Sequence, residues 1–122
     1  MIAAYCIVRR GSKILAVTRD NDMDDLGFPG GRVDLGERPE DGAIRELYEE
    51  TGLNGVEARL LCVDNSSEKG RVLYTYKVED YSGKLRPSSE GTPMWVDPED
   101  LITSKCKHSD YNKRILKTLR LI

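Results

Sequence analysis

At 122 residues the chain has the length of one domain, 1–122, and a hydrophobic content of 39% suffices for a core. A formal net charge of -2 argues against long duplex nucleic acid as a partner, because such proteins carry a strong basic excess. A small anionic ligand is compatible with that balance. The three cysteines, Cys6, Cys62 and Cys106, are odd in number and lack metal-type spacing, which fits free thiols in a reducing cytoplasm. The N-terminal apolar run is too short to span a bilayer, so no membrane partner is expected.

In chain order, "IAAYCIVRR" and "KILAVTR" are predicted strands joined by a turn at Gly11-Ser12. Asp20 to Gly27 reads as a polar loop, "GGRV" as extended and "DLGE" as a turn. A helix is predicted from Pro39 to Thr51. "VEARLLCVD" and "RVLYTYKVED" form a strand pair across the polar "NSSEKG", with Val72, Tyr74, Tyr76 and Val78 alternating onto one face. "PMWVD" is a short strand and "PEDL" starts a helical turn. From Ser109, a plausible N-cap, to Ile122 the chain is amphipathic, with Tyr111, Ile115, Leu119 and Ile122 at helical spacing. The order predicts a mixed α/β domain with its central helix packed on a sheet.

The central helix carries the chemistry. Pro39 suits its first turn and Gly52 the position just past its end. At about 100° per residue, Ala43, Ile44, Leu47 and Thr51 share one flank, while Glu46, Glu49 and Glu50 gather opposite. Each like-charge pair at this spacing disfavours an isolated helix by about 0.2–0.5 kcal/mol. Glu49 and Glu50 also lie at the negative end of the helix dipole. A divalent cation resolves the conflict: Mg²⁺ takes oxygen ligands and sits between carboxylates and substrate phosphates, reversing the local electrostatics.

Two competing motifs each fail at two positions. Gly31 to Gly36 has P-loop glycine spacing, but Glu37 and Arg38 stand where Lys and Ser or Thr are required. "DNDMDD" imitates the start of an EF-hand, yet Asp25 replaces the glycine and Gly31 the final glutamate. His108 is the only histidine, which excludes a two-His zinc site and fits a surface residue.

The pattern Gly31-x5-Glu37-x7-Arg45-Glu46-Leu47-x-Glu49-Glu50-x-Gly52-Leu53 resembles the Nudix box, and "GFPGG" and "MWVDPEDL" around it resemble the MutT-like branch. The resemblance implies a Nudix α/β/α sandwich, a mixed sheet flanked by the box helix and a C-terminal helix. It also implies Mg²⁺- or Mn²⁺-dependent hydrolysis of a nucleoside diphosphate linked to another moiety. By matching position, Glu49 and Glu50 are expected metal ligands, Glu46 a ligand or orienting carboxylate, and Gly31 a carbonyl donor. Glu37 and Arg45 are expected to pair and hold the loop on the helix, with Gly36 and Gly52 supplying backbone freedom. One glutamate accepts the proton of the attacking water. Glu49 is the first candidate for that base and Glu90 the candidate outside the box.

Substrate contacts are expected from Arg19, which ends a strand before the acidic loop, and from Phe28, Tyr74 and Tyr76 as aromatic rings for a base. The downstream proline of many ADP-ribose hydrolases has no match, because Lys69 occupies that region. Arg71 stands where a diadenosine polyphosphate hydrolase would carry tyrosine. The default expectation is therefore a nucleoside triphosphate cleaved to monophosphate and pyrophosphate by a monomer or homodimer. The alternatives are a sugar nucleotide, a dinucleoside polyphosphate, an RNA 5′-triphosphate end, or a nucleotide-sensing domain without catalysis.

Overall fold

A computed structural model describes residues 1–65 and 70–122. The first apolar run divides into β1 (Ile2–Ile7) and β2 (Arg9–Arg10), and β3 (Lys13–Arg19) follows the turn. The polar stretch expected as a loop is instead a strand, β4 (Asp22–Gly27), antiparallel to β3. The reversal takes only Asp20 and Asn21, both at positive φ (51° and 60°), the backbone that a tight hairpin needs and that Asp and Asn tolerate. The first half of β4, Asp22 to Asp24, is exposed and carries two aspartates around an exposed Met23, the composition of a loop; only Asp25 to Gly27 is buried.

Further along lie β5 (Gly30–Arg32), helix α1 (Pro39–Thr51), β6 (Asn54–Gly55), β7 (Arg59–Asp64) and β8 (Val72–Lys77). Most of the predicted "NSSEKG" connection, Lys69 included, falls outside the described residues. The chain continues through β9 (Tyr81–Ser82), β10 (Pro93–Val96), a 3-10 turn (Pro98–Leu101) and helix α2 (Ser109–Thr118).

Helix α2 departs from its prediction at both ends. His108, not Ser109, is the N-cap residue. The helix stops at Thr118 because Arg120 turns left-handed (φ 59°), its N–H bonding Lys117 O and the N–H of Leu121 bonding Leu116 O. Ile122, expected on the apolar stripe, is consequently exposed.

One sheet has the order β5-β1-β8-β7, with β1 and β8 parallel and the other pairs antiparallel. A second pairs β3 with β10, β2 and β4. Alternation along β1 separates two cores. Ala4, Cys6 and Val8 pack with Ala43 and Leu47 of α1, while Ile7 joins Phe28 and Ile115 and Leu116 of α2. Each fully buried Leu stabilises the fold by about 1.5–3 kcal/mol. The result is the α/β/α sandwich, with a mixed sheet between two helices.

Candidate active site

The site is assembled where α1 ends beside β5. Glu46, Glu50 and Glu90 each bring a carboxylate oxygen within 4.8 Å of the other two. Glu46 and Glu50 share a flank of α1 because they are four residues apart. Glu90 arrives from the loop between β9 and β10, far away in sequence.

Each carboxylate is held differently. Glu50 is only 6% exposed and accepts the Gly30 N–H at 2.6 Å. Burial pushes its carboxyl up to about 7; Glu46 and Glu90 add to the rise, and the Gly30 N–H and Arg19 oppose it. Glu46 accepts Arg45 Nη1 at 2.9 Å, and burial raises its carboxyl above the usual range despite that contact. Gly31 packs directly on it: a Cβ there would come 2.9 Å from the Glu46 carboxyl carbon. Three oxygen acids at this spacing, two of them raised by burial, are a donor set that suits Mg²⁺ or Mn²⁺.

Arg45 organises the loop before the helix. Its Nε and Nη2 donate to the two oxygens of Glu37 at 2.9 and 3.0 Å, and Nη2 also reaches Arg32 O. This two-point pairing holds the Glu37 carboxyl below its usual range. Glu37 Oε1 in turn accepts the Asp34 N–H, closing the turn that contains left-handed Gly36 (φ 83°). Gly52 (φ 85°) ends α1, where a Cβ would lie 2.6 Å from Lys84 O.

Residues 1–119 match the NUDIX domain family. The chain belongs to that family. It is 35% identical over 100 residues to the "MutT-like protein" of Streptomyces ambofaciens, covering 80% of this chain and 64% of that longer protein. It is 29% identical over 101 residues to the "CTP pyrophosphohydrolase" of Escherichia coli (strain K12), covering 79% and 75% of the two chains. A MutT NUDIX hydrolase structure from Burkholderia pseudomallei superposes with a TM-score of 0.80 at 25% identity, covering 97% of this chain and 96% of that one.

Within this Nudix fold, the residues singled out from sequence separate into two groups. Glu46, Glu50, Glu90 and Gly31 converge, and Arg19 lies close enough to Glu50 to lower its carboxyl. Arg19 Nη2 donates to Phe28 O at 3.1 Å, while its buried Nε has no hydrogen-bond partner among the described residues. Glu49 stands apart from the three acids: its side chain is 52% exposed and paired with Arg45 Nη1 at 3.2 Å. Glu49 precedes Glu50 by one residue, a rotation of about 100° around the helix axis, which suffices to turn it outward.

Of the aromatic residues named from sequence, Phe28 and Tyr76 are buried and Tyr74 is partly buried. Phe28 is fully buried and meets Tyr111 edge-on, so it offers no ring face to a ligand. Tyr76 is 4% exposed, and with Tyr74 it packs in the α1-side core; their rings stack at 6.4 Å. Tyr74 and Tyr76 of β8, with Val78 just beyond it, do share one face, and that face lies under the helix. Tyr5, not singled out from sequence, pairs with Gly30 across β1 and β5, and its ring lies under Arg19 at 6.0 Å. No sequence signal distinguished Tyr5 from the other strand aromatics. The role of Gly30 was hinted at only by the Gly30-Gly31 doublet: a Cβ at Gly30 would collide with Ala4 O.

Proposed function

We propose that this chain is a divalent-metal-dependent pyrophosphohydrolase for a nucleoside diphosphate linked to another moiety. A nucleoside triphosphate is the leading substrate, with nucleoside monophosphate and pyrophosphate as products. The convergence of Glu46, Glu50 and Glu90 at the end of α1 carries this reading. The name of the Escherichia coli relative, a CTP pyrophosphohydrolase, supports the substrate class.

Glu46, Glu50 and Glu90 would hold the Mg²⁺ or Mn²⁺, with Gly31 as the backbone donor. When bound, the cation supplies positive charge for the phosphates and makes water more acidic. Glu50 is fixed by Gly30 and serves as an anchored ligand. Glu46 is the proposed proton acceptor: it is partly buried and oriented by Arg45, whose Nη1 bonds one of its oxygens. Glu49 is assigned to the Arg45 network, whose job is to hold Glu46 in place. Arg19 is the proposed phosphate contact, since its guanidinium is close enough to Glu50 to oppose the rise of its carboxyl and its Nε has no hydrogen-bond partner among the described residues.

A screen of nucleoside triphosphates, sugar nucleotides and dinucleoside polyphosphates, with Mg²⁺ and with chelator, tests this. Products are identified by mass, and isotopically labelled water locates the phosphorus attacked. Monophosphate plus pyrophosphate formed only with metal is the expected result. Nucleotide binding with no product from any class would favour the sensing domain instead.

A further inference from the structure

The box helix α1 ends in acids and has no basic residue in its last turn. A cation reaches it from elsewhere. Arg86 Nη2 donates to Tyr48 O at 2.9 Å and Nη1 to Glu49 O at 3.3 Å, and the Arg86 backbone N–H bonds Thr51 O at 2.9 Å. Its guanidinium also lies 5.1 Å from the centre of the Tyr48 ring. The fork therefore takes the Glu49 carbonyl at the end of the helix, shares the Tyr48 carbonyl with the Gly52 N–H, and places a positive charge at the negative end of the dipole.

Four residues later the same segment presents Glu90. The intervening turn is closed on itself: Ser88 and Gly91 exchange backbone hydrogen bonds, and the Glu90 N–H donates to Ser88 Oγ at 3.1 Å. Its far end is tied to β3. Thr92 N donates to Thr18 Oγ1 at 2.9 Å, Thr18 N donates to Thr92 O at 3.1 Å, and Gly91 leaves no room for a Cβ beside Thr18 O. Glu90 thus sits on a short strap clamped to the helix at one end and to the sheet at the other.

We infer that Arg86 is a positioning residue for Glu90: by gripping the end of α1 it sets the third carboxylate against Glu46 and Glu50. This rests on the reading of those three acids as the metal centre. Arg86 touches none of the reacting atoms; it fixes the distance between the helix that carries two acids and the loop that carries the third.

The test is a double-mutant cycle on Mn²⁺ affinity, measured by calorimetry on the full chain without substrate. Arg86→Ala is expected to weaken Mn²⁺ binding about tenfold, the size of loss seen when a residue supporting a metal ligand is removed. In the Glu90→Gln background the same change is expected to do far less, because the group it positions no longer binds. Arg86→Lys keeps the charge but not the fork, and should recover only part of the affinity. It also serves the cycle if the alanine variant does not fold. Equal losses in both backgrounds, or none with Glu90 intact, would overturn the role of Arg86 and leave the metal centre standing. Unchanged Mn²⁺ affinity in Glu90→Gln alone would overturn the three-acid reading and this inference with it.

Discussion

Glu50→Gln is expected to lower turnover on the order of a thousandfold, as removing a group that stabilises transition-state charge does, while making the metal-free protein more stable in mild alkali. The two effects have one origin. Glu50 is buried beside two other acids, and its carboxyl is pushed from 4.5 up to about 7 in the folded chain. The folded state therefore holds a proton that the unfolded chain has already released. This contribution to stability is fully present below the unfolded value and is lost as pH rises through the folded one. The loss is about 3 kcal/mol at 1.36 kcal/mol per unit. Glutamine keeps an oxygen for the Gly30 N–H and carries no charge to bury. Urea unfolding in chelator should show a gain of up to about 3 kcal/mol for the variant near pH 8 and little difference near pH 5. An equal effect at both values would mean that Glu50 carries no buried charge.

Glu46→Gln is the second large effect, expected to cost about a hundredfold to ten-thousandfold in kcat, the range for removing a general base. The informative comparison is Glu49→Gln. The two residues are three apart on one helix and both contact Arg45, but only Glu46 faces Glu50 and Glu90. Glu49→Gln should cost about tenfold, because it loosens the Arg45 network without removing an acid from the cluster. Steady-state kinetics on purified variants separates these. A loss at Glu49 matching that at Glu46 would return the base to Glu49.

The box helix was legible in the sequence to the residue, because proline at its start, glycine at its end and a helical apolar stripe all agreed. The convergence of Glu46 with Glu50 followed from that helix. Which third acid completed the cluster did not. Glu90 depends on Arg86 and Thr18 anchoring its loop, contacts between residues far apart in sequence. The burial of the aromatic residues is illegible for a related reason. Alternation shows that Tyr74 and Tyr76 share a face, but not that α1 covers it. Strand β4 has the sequence of a loop because half of it is solvated and its turn is two residues of polar sequence.

The most direct test of the central claim is the anomalous scattering of Mn²⁺ in crystals of the protein. A peak in contact with carboxylate oxygens of Glu46, Glu50 and Glu90 is expected. A peak held by Glu49 and away from Glu50, or no peak at these acids at saturating Mn²⁺, would contradict the account.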